Sequence, residues 1–205
     1  MEAKFRGVKE KTVYDIFYKI VRSRTTIRQN QINFLYNILA VLLKKKLYEE
    51  KLVKIAGFGK FYMFDGKEES VIRFKMFKKL KRIIHGLKQI NFDKFYISYR
   101  TLNSLFINFS KCTGLKVKQS AFLFYVWVYA LLQALVQEKG CKVKGMGFLY
   151  ITKINYQKIR GIKRTVKYFY TVKFKAYRRT ELEINGRKEM HFYKRIKMLL
   201  SLNNI

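Results

Sequence analysis

The chain has 205 residues and is 49% apolar, which excludes disorder as the default and allows one large domain or two small ones. Its 45 Lys and Arg against 13 Asp and Glu give a net charge of +32, far more than solubility requires, so an anionic partner is expected. Nucleic acid fits better than an anionic membrane surface, because the charge is spread along the chain rather than concentrated beside an anchor.

The first ten residues and the two cysteines bear on where the protein works. MEAKFRGVKE carries five charges and no apolar run, so no secretory signal is predicted and the protein is expected inside a cell or a particle. Cys112 and Cys141 lie outside any CxxC or metal-ligand pattern. Free thiols in a reducing compartment are therefore expected.

Two helices are predicted first along the chain. Thr12 is expected to cap a helix that ends near Arg22. Thr26-x-x-Gln29 is a capping-box pattern that opens a second, longer helix. The apolar positions of this second helix have the spacing of a face that packs on a core. They are Ile32, Leu35, Tyr36, Leu39, Leu42, Leu43 and Leu47.

A β-ribbon and a basic segment follow these helices. The stretch from Leu52 to Phe64 is rich in β-branched and aromatic residues, and Asp65-Gly66 offers a hairpin turn before Val71 to Met76 returns. The basic segment from Phe74 to Ile83 closes this first unit.

The same order of elements recurs later in the chain. Thr25–Gly59 aligns with Thr113–Gly147 at a constant shift of 88 residues without a gap. Downstream, the shift between matching segments becomes 100, so the second copy is twelve residues longer. Its predicted elements run from Leu102 to Lys111, Lys116 to Glu138, Cys141 to Tyr156 and Val166 to Tyr177.

One stretch of the second copy has two interpretations. Ala121 to Gln137 is uncharged over seventeen residues. A membrane span needs ~20 apolar residues, so a buried helix with Trp127 in the core is favoured over a membrane-associated protein.

Two helices followed by a strand with Gly57-Phe58-Gly59-x-Phe61 resemble the HU/integration-host-factor family, and Gly145-Met146-Gly147 repeats the motif. The resemblance covers residues 12–86 and 101–186. It implies an α+β fold of two tandem units, each with two helices, a β-ribbon arm and a closing helix, clasped as an intrachain pseudo-dimer. The predicted units are residues 1–86 and 101–186, joined by a linker at 87–100 and followed by an amphipathic C-terminal helix at 187–205.

The glycines of the two motifs are expected to shape the strands rather than to bind anything. Gly57, Gly59, Gly145 and Gly147 stand where a strand bends and backbones approach closely. They are not a phosphate-binding loop, because no Lys-Ser/Thr follows and the segment leads into a strand.

The predicted arms differ in length, and the first is a stub. Arms of the family place a proline between base pairs, whereas this chain has no proline. The tip of the longer arm instead contains Lys158, Arg160, Lys163 and Arg164, with Ile159 or Ile162 available as a wedge. The alternative is a solvated hairpin tip whose charges prevent strand pairing.

Further cations are expected to contact phosphates of duplex DNA, mostly without reading sequence. For each of them, a merely solvated charge is the alternative. The remaining predicted contacts are Lys44, Lys45, Lys46, Lys75, Lys78, Lys79, Lys81, Arg82, Lys175, Arg178 and Arg179.

The sequence contains no catalytic pattern, since His85 and His191 lie in unrelated segments and the carboxylates are scattered. No cofactor or metal is predicted. The first functional hypothesis is an architectural DNA-binding protein of a bacterial nucleoid or cytoplasm. The second is a structural component of a phage particle, such as a ring, neck or connector, that contacts other phage proteins or copies of itself around DNA.

Overall fold

The computed structural model describes residues 10–86, 92, 103–155, 168–186 and 192–201. The described part of the first half contains α1 (Glu10–Arg24), α2 (Gln29–Glu50), β1 (Leu52–Ile55), β2 (Gly59–Asp65), β3 (Ser70–Met76) and α3 (Lys78–Gly86). The second half contains α4 (Asn103–Thr113), α5 (Val117–Glu138), β4 (Gly140–Val143), β5 (Gly147–Asn155), β6 (Tyr168–Ala176), α6 (Arg178–Ile184) and α7 (Phe192–Ser201). The predicted α+β class is confirmed.

The two halves repeat the same elements with the same local hydrogen bonds. The helix α2 and its counterpart α5 are both 22 residues long and end at a left-handed lysine, Lys51 or Lys139. Thr25 Oγ1 donates to the carbonyl oxygen four residues earlier at 2.7 Å, and Thr113 Oγ1 does the same at 2.7 Å. Such matching turns arise because short-range sequence patterns dictate the same backbone twice.

The predicted starts of the first two helices were wrong by two or three residues. Thr12 lies inside α1 rather than at its cap. The backbone N–H of Arg28, and not of Thr26, is bound by a side chain from the first turn of α2, because Gln31 Oε1 accepts it at 3.1 Å. The hydroxyl of Thr25, the residue before Thr26, accepts the Ile27 N–H at 3.4 Å and closes the turn between α1 and α2.

Each half contains a three-stranded antiparallel sheet, ordered β1-β2-β3 and β4-β5-β6. The stretch predicted as one strand from Leu52 to Phe64 is two strands, because the chain turns at Gly57 with φ of 72°. Gly145 turns the second sheet at the same φ of 72°. A positive φ is accessible to glycine without a steric penalty, which explains the spacing of the motifs.

The second glycine of each motif allows two paired strands to lie close together. A Cβ on Gly59 would lie 2.7 Å from the carbonyl oxygen of Lys75, and one on Gly147 would lie 2.7 Å from Cα of Ala176. Both obstacles are backbone atoms of the paired strand, which cannot move without breaking the ladder.

Gly147→Ala is therefore expected to lower the free energy of unfolding by about 3 kcal/mol, as overpacking does. Gly145→Ala is the matched control, because a Cβ there meets nothing within 4 Å and only the positive φ is strained, which costs about 1 kcal/mol. Urea denaturation measures both variants, and equal losses would contradict the assignment of Gly147 to close packing.

The two halves pack against each other through their helices and their sheets. Helix α1 packs on α5, α2 on α4, and β3 lies against β6. The rings of Phe61 of β2 and Phe174 of β6 meet edge to face at 5.3 Å. The closing helices also cross over, α3 onto β6 and α6 onto β3. One hydrophobic cluster runs through both halves. Neither described half therefore buries its apolar surface alone.

Helix α5 is long and apolar enough to cross a membrane, but 78% of its apolar window is buried inside the protein. Trp127 is fully buried, as predicted. A core helix of a folded protein accounts for this composition. Of the predicted linker only Phe92 is described, and its carbonyl oxygen accepts the Tyr125 hydroxyl at 3.1 Å.

The two hairpins differ as predicted. In the first, β2 and β3 are joined by residues 66–69, where the Gly66 N–H donates to the Glu69 carbonyl oxygen at 3.1 Å. In the second, β5 and β6 pair over nine residues each. The tip of the second hairpin lies outside the described residues.

Candidate functional site

The solvent faces of the two sheets carry rows of exposed or half-buried cations on paired strands. In the first sheet, Lys54 is paired with Lys60, and Lys60 with Lys75, so that three lysines form one row across three strands. The next row pairs Tyr62 with Arg73. Alternation places these side chains on the face opposite the core, since successive residues of a strand point to opposite sides.

The second sheet has a similar face with fewer charges. Its first row is Lys142, Phe148 and Lys175, and its next row pairs Tyr150 with Lys173. The edge strands β3 and β6, which carry Arg73, Lys75, Lys173 and Lys175, pack against each other. We call these two solvent faces together the sheet surface.

The row of three lysines is costly for an isolated protein. Neighbouring strands are about 4.8 Å apart, so the middle lysine, Lys60, extends from the sheet within one Debye length (about 8 Å) of each of the other two, and like charges directly opposite are destabilising. Aromatic rings offset a part of this cost, because Lys60 Nζ lies 5.4 Å from the Tyr62 centroid and Arg73 Cζ lies 4.0 Å from the Phe64 centroid. A polyanion on this face would remove the repulsion.

The lysine run Lys44-Lys45-Lys46, predicted to contact phosphates, is engaged within the protein. Lys44 is buried and its ammonium pairs with Glu183 of α6. Lys45 and Lys46 each pair with a glutamate one turn further along α2, Lys45 with Glu49 at 3.7 Å and Lys46 with Glu50. Lys44 is therefore not available to phosphates, because α6 of the other half covers it and Glu183 binds its ammonium.

The other residues predicted to contact DNA are either exposed or lie outside the part of the chain that the structure describes. Arg179 Nε lies 3.1 Å from Glu183 Oε1. The predicted tip residues, which lie outside the described residues, are Lys158, Ile159, Arg160, Ile162, Lys163 and Arg164. The exposed ones are Lys75, Lys78, Lys79, Lys81, Arg82, Lys175, Arg178 and Arg179.

Five cations of the sheet surface were missed by the sequence prediction, although alternation carried the signal. In Leu52–Ile55 and Ser70–Met76, cations occupy alternate positions between apolar residues, as is typical of half-buried strands. Only the strand register brings them into rows. The missed cations are Lys54, Lys60, Arg73, Lys142 and Lys173.

Glu183 of the second half forms an ion pair with Lys44 of the first half. Burial raises the pKa of this carboxyl, but hydrogen bonds and charges from Lys44 and Arg179 outweigh burial and hold the pKa below its usual range. Thr180 Oγ1, one turn earlier, donates to the Gly145 carbonyl oxygen at 3.0 Å and fixes α6 over the glycine turn. Glu183 therefore stays ionised at neutral pH and balances a buried ammonium.

The first hairpin is fastened to α6 of the other half. Asn185 Oδ1 accepts the Ser70 N–H at 2.7 Å, and Asn185 Nδ2 donates to the Ser70 carbonyl oxygen at 3.1 Å. The amide thus pairs with the backbone of the edge strand β3 as another strand would. Glu69 lines a shallow groove together with Arg178 and Glu181 of α6. The short hairpin is held against the body at its turn.

The cysteines provide no reactive group. Both are free, and burial raises the pKa of the Cys141 thiol. Burial also raises the pKa of Cys112, with Lys45 acting in the opposite direction. A thiol whose pKa is raised is a poor nucleophile at neutral pH.

Within the described ranges, no group of three or more His, Cys, Asp or Glu side chains could hold a metal ion. Comparison with known proteins adds no assignment, since no protein-family model and no curated protein matches the chain. The sheet surface, with its rows of cations on paired strands, is the candidate functional site.

Proposed function

We propose that the chain is a non-enzymatic architectural protein of the HU/integration-host-factor type. It binds duplex DNA through the sheet surface and the longer β-arm, largely without reading base sequence. The observation that carries the proposal is the row of Lys54, Lys60 and Lys75 across three strands. Such a row repels itself in the free protein and is neutralised by a phosphate backbone.

The relation between the halves supports the same proposal. Helices, sheets and closing helices of one half pack on those of the other, which is what a pseudo-dimer of two tandem HU-like units requires. Two units in one polypeptide avoid the entropy cost of bimolecular association. They also allow the two faces to diverge, and Arg73 gives the first face a fourth cation beside its three lysines, whereas the second face has three lysines alone.

The sheet surface lies beside the base of the longer arm. On β5 and β6, Lys153 Nζ stands 3.8 Å from the centroid of Tyr168 on the face opposite the sheet surface, so the base of the arm carries a basic and an aromatic group on that side as well. We assign the tip cations Lys158, Arg160, Lys163 and Arg164 to the minor groove, with Ile159 or Ile162 as the wedge.

Titration of duplex DNA with the full chain at several salt concentrations tests the proposal. We expect a gel shift at about 150 mM salt and a steep fall of log affinity with log salt, because each neutralised phosphate contributes about 0.9 to the slope. A flat slope, or no shift, would contradict DNA binding by the sheet surface.

A second candidate function is a structural component of a phage particle. It is favoured by one observation, the fastening of the first hairpin to α6 through Asn185, because a fastened hairpin does not reach around DNA. Assembly with copies of the chain or with other phage proteins would then arrange the basic faces around a passage for DNA. A large closed oligomer in solution, together with a flat salt slope, distinguishes this candidate.

A further inference from the structure

Helix α3 carries a basic groove beside the longer arm. Lys78, Lys81, Arg82 and His85 are exposed, lie on one face of the helix and line a shallow groove of about 300 Å³. Leu80 and Ile84 fill the opposite face and are buried. The helix sequence KKLKRIIHG contains no acidic residue, so nothing within α3 itself offsets these charges.

The equivalent groove on α6 has a different charge. At a shift of 100 residues, the four positions are Arg178, Glu181, Leu182 and Asn185. They line a groove that also includes Glu69 from the turn of the first hairpin. One of the two related grooves is thus basic, whereas the other contains its own carboxylates and sits against the fastened hairpin.

The α3 groove is continuous with the sheet surface. Lys81 Nζ lies 5.8 Å from the centroid of Phe169 on β6, whereas His85 contacts the ring of Tyr170, on the other face of that strand, edge to face at 6.0 Å. Phe169, Lys173 and Lys175 share one face of β6, since alternate residues point the same way. Cations therefore extend from the strand, past an aromatic ring, to the helix.

We propose that the α3 groove binds backbone phosphates of duplex DNA that continues beyond the sheet surface, and that the α6 groove binds none. The inference rests on the proposed function and deepens it. DNA is then held with a polarity: its contacts reach further on the α3 side than on the α6 side. An acidic protein segment is the competing occupant of the groove.

The test compares two duplexes, one just long enough to cover the sheet surface and one that extends well beyond it. Lys81→Ala/Arg82→Ala is expected to lower the log-log salt slope by about 2 on the long duplex, from two lost phosphate contacts. The slope on the short duplex is expected to stay at the wild-type value. The substitutions are exposed helix positions, and circular dichroism verifies that the fold is intact.

The chain supplies a matched control for the asymmetry. Lys78→Ala is expected to lower the slope on the long duplex by about 0.9, whereas Arg178→Ala, at the equivalent position of α6, leaves it unchanged. Equal effects of the two variants would overturn the polarity.

Two other outcomes overturn the inference while leaving the proposed function standing, provided that wild-type protein binds duplex with a steep slope. One is an unchanged slope for Lys81→Ala/Arg82→Ala on both duplexes. The other concerns the same variant: its salt slope on DNA is unchanged, but it no longer binds a polyglutamate peptide that the wild-type chain binds. That result assigns the groove to an acidic protein. Failure of the wild-type chain to bind either duplex overturns both proposals.

Discussion

Replacing Glu183 with glutamine is expected to lower the free energy of unfolding by about 3 kcal/mol. The side chains of Lys44 and Glu183 are only 7% and 3% exposed, so the variant leaves an ammonium in the core without its counter-charge. Breaking a buried pair by removing one partner costs far more than removing an exposed one. Urea denaturation at constant m-value measures the loss.

The internal repeat supplies the control for this prediction. The residues equivalent to Lys44 and Glu183 are Leu132 of the second half, which lies in the hydrophobic cluster, and Ile83 of the first half, which packs against it. The double variant Lys44→Leu/Glu183→Ile copies that apolar solution and is expected to fall within about 1 kcal/mol of wild type, because apolar replacement of a buried pair is often neutral. A single variant as stable as wild type, or a double variant as unstable as the single, would contradict the role of the pair.

The same pair produces a pH dependence of stability. The pKa of Glu183 is lowered in the folded protein, so its contribution is fully present above the pKa of the unfolded chain. The contribution is lost as pH falls through the folded pKa, when the carboxyl takes up a proton. We expect the difference in unfolding free energy between wild type and Lys44→Leu/Glu183→Ile to shift in favour of the double variant on acidification. Denaturation curves collected from neutral pH downward measure this difference.

Lys54→Gln/Lys60→Gln/Lys75→Gln is expected to weaken DNA binding strongly while leaving the fold intact. Removing three phosphate contacts lowers the log-log salt slope by about 2.7. The free energy of unfolding of the free protein is expected to stay level or rise, because the repulsion within the row disappears. Binding and stability thus move in opposite directions, which a merely structural role of the lysines does not produce.

A charge-matched control for the triple variant is Lys19→Gln/Lys111→Gln/Lys118→Gln, which removes three exposed cations from α1, α4 and α5. Lys118 lies in the first turn of α5, about 30 Å along that helix from the end that leads into β4. The control is expected to change the salt slope little. If both triple variants lower the slope equally, binding depends on net charge alone and the sheet surface has no special role.

Local sequence determined the elements of this protein. The capping turns, the apolar faces of α2 and α5 and the two glycine turns recur in both halves because each depends on residues within a few positions of one another. Gly57 and Gly145 illustrate this, since a positive φ favours glycine wherever the turn occurs. The α+β class was predictable for the same reason, whereas the different lengths of the hairpins were predictable from the shift between the two copies, which increases from 88 to 100 residues.

Tertiary structure alone decided which cations are available. Lys44, inside a run of three lysines, is typical of a solvated face, yet it is buried because Glu183, 139 residues away, lies over it. Lys54, Lys60 and Lys75 are unremarkable singly and become a row only through the register of three strands. Charge acts over a few ångströms of space rather than along the chain, so its consequences depend on contacts that short-range patterns do not encode.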